Sequence, residues 1–275
     1  MEEAYAGITA PDLVSGGAQG IRCVTCGGPR AGGPVAAHMQ DGVTMTVITP
    51  GKTVGQLLVE DPSRSRVFQK YGIDFCCGGN LTLADACRRR GLDLAPVVDA
   101  LDRVRAEPFE GPDPAALSLT DLCDHIETTH HAWLKQELPR LSAMARKVSG
   151  VHGDAHPWTR ELAATFDAFA DDLDAHMEKE ELVLFPVVRR LEAGTMAPLP
   201  MILSSPIAAM EHEHEEAGRA LARMRELSRG FTPPDGGCQT FRALLHGLEQ
   251  LERDMHLHVH KENNVLFPRV SALTL

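Results

Sequence analysis

HMEKEELVLFP, residues 176–186, has a near twin in HVHKENNVLFP, residues 258–268. Each copy holds a His, a Glu four residues on, and then Leu-Phe-Pro. The offset is constant, since 258 − 176, 262 − 180 and 268 − 186 all give 82. A helical unit repeated at one offset marks a duplicated supersecondary element. Residues four apart stand on the same helix face, one turn above the other. Each copy therefore offers an imidazole beside a carboxylate, which is metal-ligand geometry.

Both pairs lie inside apolar stripes. Leu162, Phe166, Phe169 and Leu173 lead into His176 and Glu180, and Leu184, Val187 and Leu191 follow. Phe241, Leu244, Leu248, Leu251 and Met255 lead into His258 and Glu262, with Leu266 beyond. Steps of three and four describe a helix face directed at a core. A carboxylate buried there without a partner is very costly, and a metal ion shared between helices removes that cost.

Outward from these stretches the sequence shows four long helical patterns, over about 118–149, 157–193, 205–229 and 237–271, separated by Gly- and Pro-containing breaks. Four amphipathic helices with short connections predict an all-α, antiparallel four-helix bundle. Pro186 and Pro268, six residues beyond each Glu, are expected to kink or end the helix without touching the ligand turn. The other two helices should each add a stripe His. In the third, Ile207, Met210, His214, Ala217, Leu221 and Met224 put His214 on the stripe and leave His212 off it. In the first, counting back from Leu134 by three or four leaves His131 and His130 both open. The repeat favours His131, because 214 − 131 is 83.

The resulting set is His131, His176, Glu180, His214, His258 and Glu262. These are too many ligands for one ion with an open position, and they suit two. With both carboxylates bridging, and an oxo or hydroxo bridge, about two of roughly twelve octahedral positions remain for a small exogenous ligand. Mixed nitrogen and oxygen ligation in a bundle favours two iron ions, with manganese or zinc allowed by the ligand chemistry. His256 and His260 fall off the stripe and are expected at the surface. Glu127, one turn before His131, is a candidate acceptor for that ligand's second ring nitrogen.

Upstream, residues 1–44 are Gly- and Ala-rich without periodicity and read as a disordered extension. Its C-x-x-C, Cys23 and Cys26, is half of a zinc site and reads as incidental thiols. Residues 45–107 read as a small helical domain. Thr53, Asp61-Pro62, Thr82 and Asp93 are its helix starts, and Gly72 and Gly91 are its stops. Between its second and third helices lies IDFCCGGN, residues 73–80. Residues 108–117, PFEGPDPAAL, form a linker, and 118–275 form the bundle domain. Cys76 and Cys77 are candidate redox or iron-transfer thiols, being soft ligands and nucleophiles whose mutual disulfide would be strained and readily reduced. Gly78 and Gly79 permit close backbone approach, consistent with docking something against the thiols.

Composition narrows the function classes. The chain has 275 residues, a formal charge of −11 and a pI near 5.6, which argues against nucleic acid or an anionic membrane surface as partner. No apolar run approaches the ~20 residues of a membrane helix, and the start, MEEAYAG, lacks a secretory apolar region. Seven Cys, two of them adjacent, suit a reducing cytoplasm better than a disulfide framework. Of thirteen His, all but His38 lie after residue 117.

Four stretches carry a resemblance: Asp74-Phe75-Cys76-Cys77-Gly78-Gly79, HMEKEELVLFP, MEHEHEEAG at 210–218, and ENNVLFPR at 262–269. In them the chain resembles the di-iron iron–sulfur cluster repair proteins, the repair of iron centres family of the ScdA/YtfE type, over about residues 46–271. The resemblance implies a hemerythrin-like bundle preceded by a small Cys-containing domain, with ligands at the six positions above. It also implies a non-haem di-iron centre that helps restore clusters damaged by nitric oxide or oxidants, by iron delivery or nitric oxide removal. Damaged iron–sulfur proteins would be its clients, nitric oxide or oxygen its small ligands, and the protein a monomer or homodimer. The bundle alone would equally suit an oxygen or nitric oxide binder or sensor, or a redox enzyme acting on nitric oxide or peroxide. Adjacent thiols on a separate unit favour repair.

Overall fold

Four short helices open the described part of the chain. Thr53 caps α1 (Val54–Glu60) in a capping box with Gln56. Asp61 accepts the Ser63 N–H and caps a 3₁₀ turn, Pro62–Arg64, which runs into α2 (Ser65–Tyr71). Thr82 caps α3 (Leu83–Arg90), and α4 (Leu94–Val104) follows. Gly72 and Gly91 end α2 and α3 in the left-handed region. Val54, Leu57, Phe68, Leu83, Val97 and Leu101 form the common core. The computed structural model describes residues 48–104, 111–196 and 200–273. The extension 1–44, with Cys23 and Cys26, lies outside them.

The four long patterns are four rods. The first joins α5 (Leu119–Ile126), a π-helical turn at Glu127–His131 and α6 (Ala132–His152). The second joins α7 (Trp158–Lys179), a π turn at Glu180–Leu184 and α8 (Phe185–Glu192). The third is α9 (Pro200–Leu227), and the fourth joins α10 (Gln239–Lys261), a π turn at Glu262–Leu266 and α11 (Phe267–Leu273). Two apolar clusters fill the interior. One contains Leu138, Phe166, Leu221 and Leu248, and the other contains Leu122, Phe185, Met210 and Leu266. Along each rod the expected ligand positions separate residues of one cluster from residues of the other, so the ligands form a polar layer between two dry ones.

The π turns correct one expectation. The rods continue through Pro186 and Pro268, and the departure from α geometry falls in the ligand turn itself. There Phe185 N–H reaches Glu180 O and Phe267 N–H reaches Glu262 O, five residues back. Proline lacks an N–H and clashes with the carbonyl four residues back, and a widened preceding turn accommodates both at Pro186 and Pro268, whereas the π turn at Glu127–His131 is followed by Ala132 and Trp133. The extra residue rotates the downstream side chains about the rod axis. Phe185 and Val188 are buried, while Val187 and Leu191, which α-helical counting placed on the stripe, are half-buried.

Thr46–Leu275 forms one unit, with the small helices docked on the bundle. Asn264 Nδ2 donates to Phe75 O at 3.3 Å and to Cys76 O at 3.2 Å. A Cβ on Gly55 or Gly79 would come within 2.2 and 2.3 Å of Asn264 Oδ1, so the close approach glycine permits here is to the bundle's own asparagine. Phe75 meets the rings of His256 and His260 edge-on, at 5.6 and 6.1 Å. This overturns the expectation that both His lie at the surface. His260 is buried and His256 half-buried, because the face off the bundle stripe is covered by the small helices. Within the linker 108–117, residues 111–117 are described; Pro114 is buried, and Leu117 O accepts from Arg269 at 2.8 Å. Among the described residues no helix is long and apolar enough to cross a membrane.

Candidate metal centre

α7 carries His176 with Glu180 at its C-cap, α10 carries His258 with Glu262 at its C-cap, α9 carries His214, and the first rod presents His131 at the end of its π turn. None of the six is more than 3% exposed. Their ligand atoms fall into two groups, each within 4.8 Å: His131, Glu180, His258 and Glu262, and His176, Glu180, His214 and Glu262. Both glutamates belong to both groups. Glu180 directs Oε2 to His131 Nε2 and Oε1 to His176 Nε2, each at 3.4 Å. Glu262 directs Oε1 to His258 Nε2 at 2.9 Å and Oε2 to His214 Nε2 at 3.1 Å. The imidazoles also face one another, His131 to His258 at 3.1 Å and His176 to His214 at 3.0 Å, Nε2 to Nε2.

The outer ring nitrogens fix the tautomers. His131 Nδ1–H donates to Glu181 at 2.9 Å, His176 Nδ1–H to Glu213 at 2.7 Å, and His214 Nδ1–H to the Asn263 oxygen at 2.8 Å. Nε2 of these three rings therefore points a lone pair inward. It meets four carboxylate oxygens that are buried and have no hydrogen-bond partner. Acceptors facing acceptors in a dry core are not a hydrogen-bonded network, so a proton on an imidazole Nε2 or a metal ion must stand between them. The donor set fits two metal ions, which would be held by the four imidazoles and the two carboxylates. Burial by itself would raise the Glu262 carboxyl, but His258 and His214 hold it well below the usual range. Burial by itself would lower His176, but Glu180 and Glu262 raise it to about 9.

His130, the alternative to His131, is buried elsewhere. Its Nδ1–H donates to Asp254 at 2.8 Å, Lys261 Nζ donates to its Nε2 at 2.6 Å, and its ring stacks on His258 at 5.1 Å. Glu127 is not the acceptor for His131, since it pairs with Arg189 at 2.9 Å. Glu181, Glu213 and Asn263 were missed in the sequence. Each is the chain neighbour of a ligand but serves the ligand of a different helix, so spacing within one helix gives no sign of it. The structure keeps Cys76 and Cys77 out of both groups. Cys76 is buried and Cys77 half-buried; both are free, and Cys77 Sγ lies 3.4 Å from His214 O on α9.

These placements separate the helix neighbours of His258. His258→Ala should lose most of the bound metal, while His256→Ala and His260→Ala should keep it. His260→Ala should nevertheless lower stability by about 2 kcal/mol, because it removes a ring packed on Phe75. Metal analysis and thermal melts of the three variants check this, and an emptied centre in His260→Ala would refute the assignment.

Two known domain families match stretches of this chain. Residues 50–105 match ScdA_N, a domain of unknown function (DUF542), and residues 124–270 match the hemerythrin HHE cation binding domain. Over 218 residues the chain is 39% identical to the iron-sulfur cluster repair protein YtfE of Edwardsiella ictaluri (strain 93-146), covering 79% of this chain and 96% of that protein. The chain belongs to the YtfE-type iron–sulfur cluster repair family. With the same coverage it is 38% identical to YtfE of Yersinia pseudotuberculosis (serotype O:1b, strain IP 31758) and 37% identical to that of Yersinia pestis (strain Pestoides F). The two groups of buried His and Glu lie within the segment matched to the YtfE family's cation-binding domain, and the thiols lie within the segment matched to ScdA_N.

Proposed function

We propose that the chain is a non-haem di-iron protein that restores iron–sulfur clusters damaged by nitric oxide or oxidants in other proteins. The observation that carries this reading is the pair of ligand groups sharing Glu180 and Glu262, in a chain whose relatives are named for cluster repair. His131, His258, Glu180 and Glu262 would hold one iron, and His176, His214 and the same two carboxylates the other. When bound, the iron pair supplies redox chemistry and open coordination for a small ligand such as nitric oxide or oxygen. The chain's own residues set the conditions for that chemistry. Glu181, Glu213 and Asn263 hold the imidazoles in one orientation and raise their basicity as ligands. The apolar clusters on either side keep the layer dry.

Oxygen or nitric oxide binding alone, or reduction of nitric oxide or peroxide with turnover, would need only the bundle. The free thiols held against the His214 turn favour repair over both. Damaged iron–sulfur proteins are then the partners, the acidic chain works without nucleic acid or membrane, and the reducing cytoplasm is its place. It would work as a monomer or homodimer. The test has two arms. Protein from iron-rich medium should contain about two irons per chain, and a single zinc or no metal would overturn the centre. The same protein should reactivate a cluster enzyme inactivated by nitric oxide. Cys76→Ser/Cys77→Ser should keep its iron and lose most of that activity, and full activity would remove the thiols from the mechanism.

A further inference from the structure

Outside the bundle centre, one other set of side chains among the described residues is arranged as metal ligands. Asp74, Cys76 and Cys77 bring a carboxylate oxygen and two sulfurs within 4.8 Å of one another. Cys76 Sγ and Cys77 Sγ are 3.9 Å apart and not joined in a disulfide. Two thiolates on one tetrahedral ion, with bonds of about 2.3 Å, stand roughly 3.8 Å apart. The sulfurs thus already span one edge of a coordination tetrahedron. Asp74 Oδ1 lies 3.2 Å from Cys76 Sγ, only slightly closer than the roughly 3.5 Å expected for an oxygen and a sulfur on the same ion.

The loop is held in this form from both sides. Asp74 Oδ1 accepts the Cys76 N–H at 3.0 Å, and Asn264 from the bundle clamps the carbonyls of Phe75 and Cys76. Asp74 is exposed at the edge of a cleft of about 1170 Å³ between the small helices and α9 and α10. Arginines on the bundle wall of that cleft are paired with acids, Arg225 of α9 with Glu252 of α10, Arg219 with Glu215 within α9 and Arg253 with Glu249 within α10. The opposite wall of the cleft adds Arg66, Lys70, Arg89 and Arg90.

We propose that Asp74, Cys76 and Cys77 form a third metal site, which takes one thiophilic divalent cation and leaves a coordination position open to the cleft. Binding releases the two thiol protons to solvent and leaves two thiolates and one carboxylate on the ion, with no change of oxidation state. The shell differs in kind from the bundle centre. Sulfur donors suit a soft or borderline ion, and three protein ligands with an open fourth position at the cleft edge let it be handed on, whereas the nitrogen and oxygen set lies fully buried in the bundle. Cys77 touches the turn that carries His214, so the sulfur site stands beside the bundle centre rather than on a remote surface. As a site for a cation this stands on its own geometry; as a transit point for ferrous iron it rests on the repair reading.

Cobalt(II) is the probe, because sulfur ligation gives it a thiolate-to-metal charge-transfer band that nitrogen and oxygen sites lack. The full chain is used with its bundle centre filled with iron and with Cys23→Ser/Cys26→Ser to silence the other thiol pair. Titration should bind one further equivalent with that band. Cys76→Ser and Cys77→Ser should each abolish it, and Asp74→Asn should weaken cobalt binding by at least tenfold. Cys77 is half-buried, so Cys77→Ser is decisive if Cys76→Ser disturbs folding in a thermal melt. No band in the parent, or a band that survives in Cys77→Ser, overturns the site. A band that disappears with the thiols while cluster reactivation continues keeps the site and removes its transit role.

Discussion

Glu262→Gln should empty both metal positions, not one. Each carboxylate oxygen of Glu262 faces a different pair of imidazoles, 2.9 Å from His258 and 3.1 Å from His214. A neutral amide keeps the shape but replaces one charged donor by an N–H₂ that points at the ions. Neither group then retains two carboxylate oxygens. His131→Ala differs, since His131 belongs to one group, and the His176, His214, Glu180, Glu262 group stays complete. Elemental analysis should return well under half an ion per chain for Glu262→Gln and about one for His131→Ala. Stability should track occupancy. A ligand present at a thousandfold its dissociation constant adds about 4 kcal/mol, which in a domain of this size is roughly 10 °C of Tm. Chelation should lower the Tm of the natural chain by that order and leave Glu262→Gln almost unmoved. One tightly held ion in Glu262→Gln would show that the carboxylate is not shared.

The legible part of this centre is what one helix can encode by itself. His176 with Glu180, and His258 with Glu262, are four residues apart on stripes that continue for several turns, and the common offset ties the two helices together. His214 is legible because Met210 and Leu221 bracket it at helical spacing. His131 and His130 are equally consistent with the stripe; the repeat offset favours His131, and the cross-helix geometry places His131, not His130, among the ligands. Contacts that cross between helices stay hidden. Glu181 steadies His131 from the second rod, and Glu213 steadies His176 from α9. The π turns are hidden for a different reason. Counting by 3.6 residues assumes the α geometry that Pro186 and Pro268 perturb one turn earlier than a simple kink would. His256 and His260 are not surface residues because α-helical counting on the bundle alone leaves out the small helices that cover them, almost two hundred residues away in the chain.

Gly79→Ala should separate docking from metal binding. A Cβ at residue 79 would stand 2.3 Å from Asn264 Oδ1 and 2.9 Å from its Nδ2, so the whole amide must move. In moving it gives up the carbonyls of Phe75 and Cys76, which hold the thiol loop on the bundle. The cost combines overpacking with two lost hydrogen bonds to partly buried acceptors, about 2–4 kcal/mol. The ligand atoms themselves are untouched, so iron content should stay near that of the natural chain. Residues 111–117 should become easier to cleave in limited proteolysis, and cluster reactivation should fall as it does when the thiols are removed. Removing the obstructing amide provides the control. Asn264→Ala alone loses the two hydrogen bonds, but Gly79→Ala/Asn264→Ala gives the added methyl the space the amide occupied. The pair should therefore be less destabilised than the sum of the single variants, by at least about 1 kcal/mol in a double-mutant cycle. Simple additivity would mean that Gly79 is not held small by Asn264, and loss of iron in Gly79→Ala would mean that docking and the metal centre are one structure rather than two.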